Sequence, residues 1–241
     1  MGILIAVATA TALASGLGAL PVIALGDRAE RIRHFLTGVA CGVMTVAAIA
    51  GLLLPALERT SAATVGAGLA TGVVFLLAAR RLLSRSPHGL EATRRRRTAA
   101  LVFLVLLVHS LPEGFAIGTA YASDEAGLSL FVILAIAIQN IPEGTSVAIP
   151  LAATGASAPR QIAAAIASSL PQPVGAVFAF LLVETVASLL PLSFAFAAGA
   201  MLALVAVELL PDASRGDPLM AWVGVGLGVA VMWALSLLLG V

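Results

Sequence analysis

Eight runs of about 20 mainly apolar residues, the length that crosses a bilayer as a helix, follow one another with only short polar breaks between them. They fall at approximately 3–25, 35–57, 62–83, 99–121, 127–152, 161–186, 189–211 and 218–240. Little is left for an aqueous surface: 10% of the 241 residues are charged, where a soluble domain carries roughly 25%. Backbone groups in hydrocarbon must find partners within the chain. Runs this long, rich in Ala, Leu and Gly, suit helices and not the alternating strands of about 10 residues that build a barrel. The expected fold is all-α and polytopic: eight transmembrane helices in one domain, 1–241, multi-pass in a cell (inner) membrane. The first run has no basic residue ahead of it and continues to Leu25, unlike a secretory signal.

Orientation follows from the arginines, because short loops rich in them stay cytoplasmic. All 13 basic residues are Arg, and all but Arg59 fall in alternate breaks or at the run ends beside them: Arg28, Arg31 and Arg33, then Arg80, Arg81, Arg85 and Arg94–Arg97, then Arg160, then Arg215. Both termini are therefore expected to be extracytoplasmic, with the one sizeable cytoplasmic loop at about 84–98. The Arg94–Arg97 run reads as a topology signal in contact with anionic lipid, and no nucleic-acid partner is expected. His88 in that loop is a single histidine and makes no metal-binding tract. Cys41 is the one cysteine and lies inside the second run, so no disulfide framework exists.

A charge at the bilayer centre costs at least ~2.5–3.5 kcal/mol on insertion scales, which makes every intramembrane acid a functional candidate. Glu184 and Asp212 lie near enough to the ends of their runs to be solvated. Glu113 and Glu143 lie well inside theirs, and Glu208 is inside the seventh. The surroundings of the first two align position by position: Val108-His109-Ser110-Leu111-Pro112-Glu113-Gly114 and Ile138-Gln139-Asn140-Ile141-Pro142-Glu143-Gly144. Residues four apart share a helical face, so His109 is expected beside Glu113 and Gln139 beside Glu143. Each proline removes a backbone donor and frees the carbonyl four residues earlier, as in the kinked midplane helices from which transporters build ion sites.

Two carboxylates, an imidazole and an amide converging in low dielectric would repel or protonate unless a cation joined them. Imidazole with carboxylate suits a divalent transition metal such as Zn²⁺, with Met44 of the second run as a soft ligand. A proton relay, as in a proton-coupled transporter of another solute, and a structural polar knot between helices are the alternatives that the same residues leave open.

At these residues the sequence resembles the ZIP (Zrt-, Irt-like protein) family of divalent-metal transporters, through HSLPEG in the fourth run and QNIPEG in the fifth. The second run, GVACGVMTVAAIAGLLLP, and the seventh, GAMLALVAVELLPD, are similar to the corresponding family helices. The two also echo each other: Gly42-Val43-Met44 and Leu53-Leu54-Pro55 return as Gly199-Ala200-Met201 and Leu209-Leu210-Pro211. The resemblance implies a 3+2+3 arrangement in which the first and last three helices are inverted repeats around the fourth and fifth. It implies zinc as the transported substrate (with Cd²⁺, Fe²⁺ or Mn²⁺ as others), import to the cytoplasm, and a prokaryotic type of protein. It also places a metal site on Met44, His109, Glu113, Gln139 and Glu143, a second site on Ser110, Asn140 and Gln172, and a release path at Glu208.

The family commonly carries Asn, Asn or Asp, and Glu at the three positions of that second site. Ser110, Asn140 and Gln172 are all uncharged, and hard-cation affinity follows the number of charged ligands, so the second site is expected to be weak or empty. An enzyme is not expected: no His-Glu-x-x-His motif exists, and Ser110 and His109, as helix neighbours, do not face each other. Gly66, Gly68 and Gly72 of the third run offer a face for close packing against another helix, and the sequence leaves a homodimer open.

Overall fold

The computed structural model describes the backbone of residues 1–84 and 91–241, with the side chains of all of these except 27, 31, 83–84, 91–97 and 101. Residues 85–90, with Arg85, Pro87, His88 and Gly89, and the side chains of Arg31 and Arg94–Arg97 lie outside the described residues. Helix is the only regular structure among the described residues. Eight spans are long and apolar enough to cross a membrane: α1 (Gly2–Leu25), α2 (Ile32–Arg59), α3 (Ala62–Leu82), α4 (Thr98–Tyr121), α5 (Ala126–Ala152), α6 (Ala158–Thr185), α7 (Ala187–Gly216) and α8 (Pro218–Leu239). The helical backbone of the fourth already begins at Glu91, so helix covers much of the loop expected at about 84–98.

Several spans change pitch part-way. α1 tightens into a 3₁₀ turn at Ser15–Gly18, and α6 pauses at Leu170 before Pro171 restarts it. α2 and α7 each widen into a single π turn, Ile49–Leu53 and Val205–Leu209. Each π turn stands just ahead of a proline, Pro55 or Pro211, which has no N–H for the carbonyl one turn back and whose ring crowds it. One extra residue in the turn absorbs both faults. Pro112 and Pro142, by contrast, lie inside helices that run on through them.

The spans pack as two groups. α2 lies against α8 and α7 against α3; α4 lies against α6 and α5 against α1; the groups meet where α2 faces α5 and α7 faces α4. Exchanging the first three spans with the last three, and α4 with α5, turns this list of neighbours into itself. The closest approaches obey the same exchange. A Cβ on Gly42 would strike the Val225 carbonyl and one on Gly199 that of Leu69; one on Gly144 would strike Ser15 and one on Gly114 would strike Gln172. Consecutive spans cross in opposite senses, so α2 and α7, an odd number of crossings apart, run oppositely. The repeat is therefore inverted, the plan that places transporter sites at the repeat interface.

The central helices α2 and α7 are buried for most of their hydrophobic length, whereas α3 and α8 are mostly exposed, as suits helices that face lipid. Gly68 and Gly72 pack closely against another helix of the same chain: they face Ala195 and the Phe196 carbonyl of α7. Only Gly66 of that trio meets nothing.

Candidate metal centre

Where the two groups of helices meet, the interior is polar. His109, Ser110 and Glu113 come from α4, Gln139, Asn140 and Glu143 from α5, and Gln172 from the restart of α6, all of them 0–4% exposed. The carboxyl groups of Glu113 and Glu143 lie against each other. This follows from the repeat, since the two Pro-Glu-Gly segments occupy equivalent places on α4 and α5. Each following glycine lets its helix press onto a neighbour's backbone, Gly114 onto α6 and Gly144 onto α1.

Both oxygens of Glu113 are held by amides: Gln139 Nε2 donates to Oε1 and Gln172 Nε2 to Oε2, each at 2.7 Å. Gln172 also donates to Asn140 Oδ1 at 3.0 Å, and its own Oε1 accepts from Asn140 Nδ2 and from Thr11 Oγ1, both at 3.0 Å. Asn140 Nδ2 further donates to the Thr11 carbonyl at 2.6 Å. Ser110 Oγ is turned to the carbonyls of Leu106 and Ser168, 3.0 and 2.9 Å away.

Other atoms have no partner. Among the buried side-chain atoms without a hydrogen bond are His109 Nδ1, Gln139 Oε1, Glu143 Oε1 and Glu208 Oε2. Glu208 leaves the π turn of α7, and its Oε2 stands 3.4 Å from His109 Nε2. His109, four residues before Glu113 on the same helix, thus also meets an acid across helices. Met44 is fully buried on α2, the span that packs against α5. Among the described residues no three His, Cys, Asp or Glu side chains converge.

A cavity of about 510 Å³ reaches this centre from one side, lined by His109 and Glu208 and, further out, by Arg33, Arg80, Asp212 and Arg215. Arg33 crosses its mouth, donating to Glu30 at 2.8 Å and to Asp212 at 2.5 Å. On the opposite side stands a cluster around Arg59. Arg59, at the far end of α2, pairs with Glu125 ahead of α5, donates to the Pro55 carbonyl at 2.7 Å and stands 5.6 Å over the ring of Phe194 on α7. Glu184 is exposed and Asp212 half-buried in its ion pair, as expected of acids near span ends.

Sequence reading missed Thr11 and the Arg59–Glu125–Phe194 cluster. Thr11 is one of three hydroxyls, with Thr9 and Ser15, in an Ala-rich run, and such a residue bonds its own helix backbone more often than a partner. Arg59 offered one usable signal, as the single arginine on its side of the chain.

An all-helical polytopic protein with inverted repeats around a buried, charged centre is a secondary-transporter architecture. The chain belongs to the ZIP zinc-transporter family: the family model described as ZIP zinc transporter matches residues 79–236, two thirds of its length. It is similar to the zinc transporter GufA of Myxococcus xanthus, 32% identical over 84% of this chain and 85% of that one. Its identity to the zinc transporter ZIPB of Bordetella bronchiseptica is 34%, over 94% of this chain and 78% of that one. Its identity to the zinc transporter ZupT of Corynebacterium efficiens is 33%, over 94% and 93%. A longer protein of Arabidopsis thaliana is 34% identical over 95% of this chain, which spans 38% of that protein. ZIP family members are transporters and not enzymes, and this one is a multi-pass membrane protein.

Proposed function

We propose that the chain carries Zn²⁺, and with it divalent ions of similar chemistry such as Cd²⁺, Fe²⁺ or Mn²⁺, through the centre between α4 and α5. One observation carries this reading: His109 Nδ1, Gln139 Oε1, Glu143 Oε1 and Glu208 Oε2 are buried there without hydrogen-bond partners. A buried polar atom left unmade costs about 1–3 kcal/mol, more when charged. Three of these atoms are oxygens that can only accept unless protonated, beside a second carboxyl on Glu113. A cation held between Glu113 and Glu143 satisfies the Gln139 and Glu143 oxygens, and the same cation in transit meets His109 and Glu208. Imidazole nitrogen with carboxylate oxygen suits a divalent transition metal, and the similarity to proteins named zinc transporters points the same way.

His109, Glu113, Gln139 and Glu143, with the Met44 sulfur, form the ligand set of this proposal, and Glu208 is the next station on the way out. The cavity that reaches His109 and Glu208 opens on the side that carries Arg33, Arg80 and Arg215, the cytoplasmic side by the arginine rule. Cargo therefore enters past Arg59 and leaves past Glu208, with the helix groups alternating the two openings.

Zinc uptake into proteoliposomes tests this. His109→Ala and Glu143→Ala should each abolish uptake while leaving the protein monodisperse. Either variant carrying zinc at the parent rate would remove the centre from the path.

A further inference from the structure

We propose that Gln172 closes the far side of Glu113 and so limits the centre to a single cation; this rests on the reading of the centre as a cation site. The two amides that hold Glu113 are used differently. Gln139 gives its Nε2 to Oε1 of Glu113 and keeps its own Oε1 unpartnered, which leaves a free acceptor for an ion. Gln172 keeps nothing back. Its Nε2 serves Glu113 Oε2 and Asn140 Oδ1, and its Oε1 is taken by Thr11 and Asn140.

The direction of the Gln172 amide is fixed by chemistry. Turned over, it would set a carbonyl oxygen against a carboxylate, whereas an N–H donor there makes a charge-assisted bond. Behind Glu113, then, Ser110, Asn140 and Gln172 bond Glu113, one another, the Thr11 hydroxyl or backbone carbonyls, and none of their atoms is among the unpartnered ones. A cation on that side would have to break a 2.7 Å hydrogen bond to reach Oε2 and would then meet neutral ligands only. An N–H hydrogen and a metal ion cannot occupy the same lone pair. The amide therefore does what a second cation would do for Glu113, orienting its carboxylate, and brings no charge of its own.

Gln172 is placed to do this by the break in its helix. α6 stops at Leu170 and restarts at Pro171, so the side chain is presented at the start of a new segment. There the Gln172 backbone meets Gly114, and the side chain joins α4 and α5 to Thr11 of α1. Gln172 is thus a positioning residue for Glu113 and sets the number of ions.

The experiment is the count of zinc ions at the centre, from anomalous scattering of zinc-loaded crystals, paired with equilibrium zinc binding to the same purified protein. The parent should show one ion, between Glu113 and Glu143. Gln172→Glu replaces the donor with a third carboxylate that only a cation can reconcile with Glu113, and should show two. Gln172→Ala should remain at one ion with affinity lowered by about 10- to 100-fold, as when a group that orients a ligand is removed. A purely structural role would lower the melting temperature of both variants and leave the ion count at one. Two ions at the parent centre, or one in a folded Gln172→Glu, would overturn the proposal. The parent count requires no variant to fold, and a parent that binds none would overturn the cation site itself.

Discussion

His109 on α4 points its Nε2 at Glu208 Oε2 on α7, 3.4 Å away, across the junction of the two helix groups and at the inner end of the open cavity. An imidazole shared between the centre and an acid on the opposing group is suited to handing an ion outward. Glu208→Gln keeps the shape and removes the charge. It should lower the maximal rate of zinc uptake by about 10-fold, the scale for losing a partner that orients a metal ligand, and leave the half-saturating zinc concentration nearly unchanged, because the proposed route places entry on the other side. A rise in that concentration at unchanged maximal rate would place Glu208 in cargo capture instead.

The two central glutamates should separate in what they do for stability. Glu113 accepts from Gln139 and Gln172, so Glu113→Ala strands buried donors at about 1–3 kcal/mol each and should clearly lower the melting temperature in detergent. Glu143 Oε1 has no partner. Glu143→Gln should leave melting nearly unchanged without zinc and cancel the stabilisation that zinc gives the parent, since a ligand raises stability only where it binds. Thermal melts with and without zinc read both effects.

Much of this was legible in the residues, for identifiable reasons. Span length and hydropathy located all eight helices, and the doubled Pro-Glu-Gly placed Glu113 and Glu143 together, because a symmetric pair of segments needs one shared axis. What escaped was the partner of each side chain across helices. Spacing of four puts His109 and Glu113 on one face of α4, but it does not say that α7 stands opposite with Glu208. Gln172 likewise reads in the sequence as a missing acid, and only its contact with Glu113 shows what the amide does. The glycines of α3 marked a close-packing face, but only the structure shows that α7 stands opposite Gly68 and Gly72.

Close helix approach predicts a sharp contrast among glycines. A Cβ at Gly114 or Gly144 would collide with the backbone of Gln172 or Ser15, whereas at Gly66 or Gly226 it would meet nothing within 4 Å. Backbone cannot step aside as a side-chain tip can, and overpacking costs at least about 1–3 kcal/mol. Gly114→Ala and Gly144→Ala should therefore lose the sharp size-exclusion peak and the zinc uptake of the parent. Gly66→Ala and Gly226→Ala should keep both.

The ion pair of Arg59 and Glu125, on the side away from the cavity, should govern rate more than stability. With Glu125 about half exposed, at 54%, the pair contributes about 0–1 kcal/mol to folding, so Glu125→Gln should hardly change the melt. Yet the pair ties the end of α2 to the start of α5, and Arg59 also rests on Phe194 of α7, so all three must part when that side opens. Weakening the closed state by up to about 1 kcal/mol raises the open fraction by up to about fivefold. If opening limits turnover, Glu125→Gln should speed zinc exchange across proteoliposomes by a factor within that bound. The effect should also shrink in high salt, which screens the pair in the parent. An unchanged rate at low salt would mean that the contact persists through the transport cycle.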